Sequence, residues 1–493
     1  MKVIVRNLGV LKEEATIDIK PLTIFIGPNN SGKTWLAYAL SGIFGLYGSR
    51  EYIRAYTEKQ VPTIYEELND AIERVLVGGN ATIDLHQFAN DYAEMYFNAV
   101  AKFAQNWMSI FLSTQFARFD DLDISLSLEE TKAYILKQVT QYSQRSNIAI
   151  GSKGSLLTIQ KKTGEDKLYV FTSSELQDAE EQETQIGEFI PVEVIRERLV
   201  SFVSTVLRRS LYPQVRIFPT ERTTFVAFRF GRRIAGREQP KFNEKVIEAL
   251  ELLEKELDTR PLIEHNTIRE AIWPVGSFLS MLSRLFNISL KDRQEREKNA
   301  QNEPLVRKYI QLAETLEKQI LEGSIDFSTP EPDPRREVLF QPAQDVNLEI
   351  PIASSMAKEL SPLVLYLRDL ARPGELLIID EPEMNLHPRA QAKIIEFLTM
   401  LVNAGLNVLI TTHSPYITDH LTNLIKAEQS ENQGSISNEF YLKSSSAFIA
   451  KDKVSVYGIS EGKVKNVLDD DGMINWSTFG DVSEHISDIF FKL

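Results

Sequence analysis

The eight residues Gly27-Pro28-Asn29-Asn30-Ser31-Gly32-Lys33-Thr34 constrain the fold of this chain more than any other feature of its sequence. They match the pattern G-x-x-x-x-G-K-[ST] without a mismatch. The apolar run Leu22–Ile26 precedes them and predicts a buried strand, and a helical pattern follows from Lys33 to about Phe44. A strand, a glycine-rich loop and a helix in this order predict a phosphate-binding loop.

Most residues of such a loop have a role in binding phosphate or Mg²⁺. The glycines let the backbone wrap an anion, so that successive N–H groups point inward, and the dipole of the following helix adds positive potential. Lys33 is expected to reach the β- and γ-phosphates, and the Thr34 hydroxyl is expected to bind Mg²⁺. The expected binding residues of the loop are Gly27, Asn29, Asn30, Ser31, Gly32, Lys33 and Thr34.

A second apolar run, Leu376–Ile379, ends in the carboxylates Asp380 and Glu381. A strand that is buried on both faces delivers its last side chains to the carboxyl edge of a parallel sheet, where ligands bind. We expect Asp380 to orient Mg²⁺ or its water, and Glu381 to polarise the attacking water as general base. A solvated strand end is the alternative interpretation.

Composition excludes several classes of protein. The 493 residues are 43% hydrophobic and 25% charged, which is typical of a globular chain of a few structural units. The chain has no cysteine, so disulfides, thiolate metal sites and cysteine nucleophiles are excluded. Lys2 and Arg6 interrupt the apolar stretch at the N-terminus, and no apolar run approaches the roughly 18 residues of a membrane helix. We expect a soluble, cytoplasmic protein with no membrane partner.

The net charge of −14 argues against a surface that coats nucleic acid, because that binding requires neutralised phosphates. Residues 216–241 are the exception, with seven basic and two acidic side chains. This basic segment is open to two interpretations: a solvated face or anchor for acidic helices, or a contact with DNA. Its basic residues are Arg216, Arg222, Arg229, Arg232, Arg233, Arg237 and Lys241.

The remaining patterns divide the chain into three segments. Residues 1–50 hold the phosphate loop. Residues 51–335 are mostly helical by period, with a hairpin near 154–172 and a strand before the basic segment. Residues 336–493 return to alternating strands and helices. These patterns predict an α/β nucleotide-binding head in two halves, split by a mostly helical insertion. Smaller predictions are helices at 243–258, 265–288, 303–322 and 482–491, and strands at 439–442 and 454–457.

Two further segments extend these motifs: Pro382-Glu383-Met384-Asn385-Leu386-His387-Pro388 after the acidic pair, and Thr411-Thr412-His413-Ser414-Pro415 after the next predicted strand. Together with the phosphate loop they resemble the ABC-type ATPase heads of the RecF/SMC class, specifically the OLD-like branch. The resemblance covers both predicted halves of the head and says little about residues 50–335. It implies an ABC/RecF-type P-loop ATPase in which ATP and Mg²⁺ are sandwiched between two heads.

The resemblance also implies roles for individual residues. Asn385 begins the D-loop, which contacts the opposing subunit. His413 senses the γ-phosphate, and its place after the apolar strand agrees, since it would emerge at the same sheet edge as Asp380. Glu381, His413 and Lys33 are thus the expected catalytic residues.

Ser354 and Ser355 stand at the predicted start of a helix, where these heads carry the signature Ser-Gly that completes the partner's ATP site. Ser355 is expected to cap that helix. Met356 replaces the usual glycine, which predicts weak activation in trans and slow hydrolysis. Residues 218–222 (Phe-Pro-Thr-Glu-Arg) resemble a P-A-E-R element that is expected to line the site.

Two functions follow as hypotheses. OLD nucleases carry a TOPRIM nuclease domain after the head, and the segment after His413 is too short for one. The first hypothesis is an ATPase subunit that dimerises on ATP and controls a separately encoded nuclease or toxin, as in bacterial antiphage systems such as Septu or PARIS. The alternative is a RecF-like ATPase of DNA repair or maintenance that binds DNA through residues 216–241. A transporter ATPase fits less well.

Overall fold

The computed structural model describes residues 1–149, 155–172, 191–230, 273–333, 336–475 and 488–489. The chain forms two compact units, and each is assembled from separate stretches of sequence. The first unit comprises Met1–Asn7, Ala39–Val215 and Glu248–Trp273. The second comprises Leu8–Tyr38, Arg216–Ile247 and Pro274–Leu493.

The described strands and helices are numbered here in chain order. The strands are β1 (Lys2–Arg6), β2 (Ala15–Asp18), β3 (Leu22–Ile26), β4 (Asn80–Asp84), β5 (Asp123–Ser127), β6 (Gln144–Ala149), β7 (Ser155–Lys161), β8 (Lys167–Thr172), β9 (Val215–Phe218), β10 (Ser324–Phe327), β11 (Val338–Ala343), β12 (Val346–Glu349), β13 (Leu376–Asp380), β14 (Asn407–Thr412), β15 (Val454–Ser460) and β16 (Lys463–Asn466). The α-helices are α1 (Lys33–Phe44), α2 (Leu46–Thr57), α3 (Glu66–Gly78), α4 (Leu85–Lys102), α5 (Ala104–Phe111), α6 (Lys132–Gln141), α7 (Val192–Leu211), α8 (Arg222–Phe230), α9 (Trp273–Phe286), α10 (Leu290–Ala300), α11 (Pro304–Thr315), α12 (Ser355–Asp369), α13 (Pro388–Asn403), α14 (Pro415–Glu428) and α15 (Gln433–Ile436).

The second unit is built on a six-stranded sheet with the order β16-β15-β3-β14-β13-β9. Strands β15, β3, β14 and β13 are parallel, and β16 returns antiparallel to β15. Every residue of β3 and β13 is buried, as expected of parallel strands that are covered on both faces. The apolar runs before the phosphate loop and before Asp380 therefore form central strands, which confirms the prediction.

The register of this sheet brings the carboxyl ends of its parallel strands to one edge. Asp380 at the end of β13 pairs with Thr411 of β14, and Thr412 pairs with Ile26 of β3. The phosphate loop follows β3 directly, and His413 follows β14. The motifs that lie far apart in sequence thus share the sheet edge at which ligands bind in α/β folds.

The first unit combines helices α2 to α7 with an antiparallel sheet of order β4-β8-β7-β6. The predicted hairpin near 154–172 is confirmed as β7 and β8, with Gly164 in its turn at φ +82°. The helical prediction for the segment around 60–148 holds for α3 to α6 but missed β4, β5 and β6. Strand β4 follows the left-handed Gly79 and ends at Asp84, which caps α4, and its ladder partner β8 is distant in sequence.

One smaller prediction is wrong, and others lie outside the described residues. Residues 439–442 do not form a strand, because the amides of Tyr441 and Leu442 donate to the buried carboxylate of Glu396 at 3.0 and 2.8 Å instead of to a ladder partner. The strand at 454–457 is confirmed as part of β15. The predicted helix at 243–258 lies outside the described residues, as does most of the one at 482–491.

Candidate functional site

The loop between β3 and α1 depends on its two glycines. Gly27 has φ +157° and Gly32 has φ +101°. A Cβ on Gly27 would lie 2.2 Å from the Ile459 carbonyl oxygen, and a Cβ on Gly32 would lie 2.8 Å from Val10 Cγ2. Both positions therefore exclude a side chain, for steric and for conformational reasons.

Lys33 holds its ammonium group against the loop itself. Its Nζ donates to the carbonyl oxygens of Gly27 and Pro28, each at 2.9 Å. Burial lowers the pKa of Lys33, and the nearby carboxylates of Glu381, Asp380 and Glu383 oppose that shift.

The loop also carries polar groups that a phosphate would satisfy. The Ser31 hydroxyl is buried and has no hydrogen-bond partner among the described residues, whereas Asn29 and Asn30 are exposed. Buried polar groups are normally paired, and this one lies in a loop whose backbone already takes glycine-only conformations. The loop therefore fits an anionic ligand.

Thr34 and Asp380 meet at the edge of the sheet. The Thr34 hydroxyl lies 3.1 Å from each carboxylate oxygen of Asp380, which is fully buried. Thr411 also donates to Asp380, and the Thr220 hydroxyl lies 3.4 Å from it. Burial raises the pKa of Asp380, and the hydrogen bonds from Thr411 and Thr34 oppose this rise. One hydroxyl and one carboxylate match the few protein oxygens that Mg²⁺ takes when phosphates and water supply the rest.

Glu381 begins the loop after β13 in a left-handed conformation, with φ +49°. Its amide donates to the carbonyl and the hydroxyl oxygen of Thr411, both at 3.1 Å. Its Oε1 lies 3.3 Å from His413 Nδ1. The contact with His413 lowers the pKa of Glu381, with support from the charges of His413, Lys33 and Arg222, so the carboxylate form is favoured.

His413 lies between two carboxylates. Its Nδ1 is 3.5 Å from Glu383 Oε1 as well as close to Glu381, and these two groups raise its pKa. Glu383 is 3% exposed in its side chain and accepts hydrogen bonds from the Thr412 hydroxyl at 2.6 Å and the His413 amide at 2.9 Å. Sequence reasoning did not single out Glu383, although its place two residues after Glu381 in the same motif was a signal.

The two predicted signature serines and Asn385, the first residue of the predicted D-loop, lie at exposed positions. Ser354 caps α12, since its hydroxyl accepts a hydrogen bond from the Ala357 amide at 3.1 Å, and Ser355 is the first residue of the helix. The expectation that Ser355 would be the cap is therefore wrong by one residue. Asn385 is also exposed, has φ +58°, and its side chain lies close to Glu359 of α12.

The basic segment does not form one exposed face. Arg216 and Arg222 are 4% and 2% exposed, so neither is available to nucleic acid, and this corrects the sequence interpretation for both. Arg232, Arg233, Arg237 and Lys241 lie outside the described residues. Arg222 instead lies at the end of β13, where it donates to the backbone carbonyls of Asp380 and Glu381.

A parallel sheet, a glycine loop with its lysine and threonine, and an acidic strand end define a P-loop ATPase head of the ABC/RecF type, which confirms the predicted fold class. The chain belongs to the AAA ATPase domain family, whose match covers residues 1–418. A comparison with curated proteins finds no match.

SMC heads are among the solved structures that resemble this chain. One is the SMC head bound to the C-winged helix domain of ScpA, with 11% identity over 94% of this chain and 96% of that chain, and a TM-score of 0.34. Another, from Pyrococcus furiosus, has an extended coiled coil and is bound to the C-terminal domain of ScpA; it has 10% identity over 99% and 98% of the chains and a TM-score of 0.36. The third is the SMC head domain of Thermotoga maritima, with 11% identity over 94% and 97% and a TM-score of 0.29.

Among the helices that the structure describes, none combines the length and the apolar character required to cross a membrane.

The contact between His413 and Glu381 predicts a pH-dependent stability. The pKa of His413 is raised above 6.5, so its stabilising contribution is complete below that pH and is lost as the pH rises through the raised value. We expect the difference in unfolding free energy between wild type and His413→Gln, without nucleotide or metal, to shrink between about pH 6 and pH 9. Chemical denaturation at several pH values measures it. A difference that stays constant over this range would contradict the prediction, and His86→Gln, at an exposed position, serves as control.

Proposed function

We propose that this chain binds ATP with Mg²⁺ and hydrolyses it. The observation that supports this most strongly is the pair formed by Thr34 and Asp380, because it joins the phosphate loop to the acidic strand end at one point.

In this proposal, Lys33 leaves the Gly27 and Pro28 carbonyls to bind the β- and γ-phosphates, and the loop amides bind the remaining phosphate oxygens. Thr34 and Asp380 hold Mg²⁺, which neutralises charge on the phosphates when it is bound. Glu381 accepts a proton from the attacking water, since its lowered pKa keeps it ionised. His413 donates to the γ-phosphate, and its raised pKa favours the charged form that donates.

We further propose that two copies sandwich ATP head to head. Ser354, Ser355 and Asn385 are exposed, as residues must be if they complete the site of a second head. Binding would then drive association and hydrolysis would release it. The OLD-like motifs support an ATPase subunit whose dimerisation controls a separately encoded nuclease or toxin in bacterial antiphage defence.

The alternative, a RecF-like ATPase that binds DNA through residues 216–241, has less support. Two of the arginines on which it relies are buried. It would depend on the basic residues beyond 230, which lie outside the described residues.

Native mass spectrometry of Glu381→Gln, purified from its own host with Mg-ATP, tests the proposal. We expect a dimer that holds two ATP molecules, together with a co-purifying protein in fixed stoichiometry. Adding Ser355→Arg is expected to leave a monomer that still binds ATP, since residue 355 is exposed and its own loop is intact. A monomer in the absence of Ser355→Arg would contradict the sandwich. A dimer with nucleic acid and no protein partner would favour the alternative.

A further inference from the structure

A buried arginine supports the backbone of the loop that follows β13 and begins at Glu381, called here the catalytic loop. Arg222, at the first position of α8, is 2% exposed. Its Nη1 donates to the carbonyl oxygens of Pro219 at 2.8 Å and Asp380 at 2.6 Å, and its Nη2 donates to that of Glu381 at 2.8 Å. One guanidinium group thus holds the two consecutive carbonyls that precede and follow the amide of Glu381.

Glu381 requires such support because of its backbone. A left-handed conformation is uncommon for a residue with a long side chain, and it persists only where the surroundings hold it. The Glu381 amide is held by Thr411, and its carbonyl is held by Arg222 and by the Met384 amide at 3.1 Å. The direction of the Glu381 side chain follows from this backbone, so a change in these contacts would displace the carboxylate.

A carboxylate on a different helix, α12, balances the charge of Arg222. Arg222 forms an ion pair with Glu359, whose side chain is fully buried in the second turn of α12. Glu359 also accepts a hydrogen bond from Thr223 and contacts the Asn385 side chain. Burial raises the pKa of Glu359, and Arg222 opposes this rise. Helix α12 begins at Ser355, directly after the capping Ser354, and both serines are exposed.

We propose that Arg222 is a positioning residue for Glu381, and that the Arg222–Glu359 pair couples the catalytic loop of one head to its own signature helix. This inference rests on the proposed ATPase function. A shift of α12 when a second head binds would be transmitted through Glu359 to Arg222 and then to the carbonyl of Glu381. Each head would then sense its partner through a buried ion pair rather than through nucleotide contacts alone.

The double variant Arg222→Met with Glu359→Leu tests this inference. Apolar residues of similar volume can replace a buried ion pair without loss of stability, but methionine cannot donate to the Asp380 and Glu381 carbonyls. We expect a melting temperature close to that of wild type, an unchanged affinity for a fluorescent ATP analogue, and a kcat about 100-fold lower. Hydrogen exchange at the Met384 amide should be faster. A kcat within about threefold of wild type would overturn the proposal.

A matched control is Arg293→Met with Asp369→Leu, which removes an ion pair of 3.1 Å at the other end of α12. This control is expected to leave kcat and the hydrogen exchange of the Met384 amide unchanged. An equal loss of kcat in the control would mean that the loss of kcat comes from a general loosening of α12, and this would overturn the proposal. Arg222→Lys provides a second variant if the double variant does not fold. It keeps the charge beside Glu359 but loses the fork geometry, so an unchanged kcat would also overturn the proposal.

The proposed ATPase function and the coupling through Arg222 are distinguished by the activity of the wild-type protein. If wild type binds no ATP and hydrolyses none, the proposed function fails, whatever the variants do. If wild type hydrolyses ATP and the double variant does so equally well, only the coupling through Arg222 fails.

Discussion

Glu381→Gln is expected to lower the kcat of ATP hydrolysis about 10²- to 10⁴-fold and to leave ATP bound. The substitution keeps the size of the side chain and removes the carboxylate that is proposed to accept the proton of water. Lys33 and Thr34, which are proposed to bind the phosphates and Mg²⁺ respectively, are unchanged. Because Glu381 also interacts with His413, the amide should additionally lower the pKa of that histidine towards its usual value. Steady-state phosphate release measures the loss of kcat. Equilibrium binding of an ATP analogue shows whether ATP is still bound.

Glu221→Gln is the appropriate control for this variant. Glu221 is exposed, lies close to the site in the element 218–222, and contacts Thr220 rather than the catalytic loop. Its substitution should leave kcat within about twofold of wild type. A Glu381→Gln protein that turns over at the wild-type rate would show that Glu381 is not the general base.

Lys33→Met is expected to weaken ATP binding about 100-fold or more, since a charged hydrogen bond contributes about 1.5–3 kcal/mol and Lys33 is expected to make at least one to each of two phosphates. The fold should persist, because burial already disfavours the ammonium form and methionine fills the same space. The variant would lose its two hydrogen bonds to the Gly27 and Pro28 carbonyls, which ligand-free wild type retains. Isothermal titration with Mg-ATP measures the loss.

Lys20→Met provides the comparison, as Lys20 is partly exposed and pairs with Asp18 away from the loop. Its affinity for ATP should equal that of wild type. If Lys33→Met binds ATP as tightly as Lys20→Met, then the loop does not bind the phosphates in the proposed manner, and the site would have to be reassigned.

Much of the head could be predicted because its signals are local. The runs before Gly27 and before Asp380 are continuous and apolar, which is typical of strands buried on both faces, and each is followed directly by residues with a predicted role in the site. The parallel arrangement then places the ends of such strands at a common edge, so Thr34, Asp380 and His413 could be expected to meet. The family match agrees with this fold class.

Other predictions failed where the deciding partner is far away in sequence. Residues 439–442 have the composition of a strand, yet their amides bind the carboxylate of Glu396 on α13. Strand β4 has too few residues to stand out between two helices, and it exists because β8 pairs with it. In both segments, hydrogen bonds to residues that are distant in sequence decided the backbone structure, and the local pattern did not.

The sequence by itself determined the phosphate loop, the acidic strand end and the place of His413 directly after β14, because their spacing relative to apolar runs carries the information. Only the tertiary structure decided what Arg222 does. Its charge, read along the chain, belonged to a basic segment, whereas its contacts reach Asp380, 158 positions away. A buried guanidinium group requires an acceptor for each donor and a counter-charge, and which groups supply them depends on how separate segments pack. That is a property of the folded chain rather than of any local pattern.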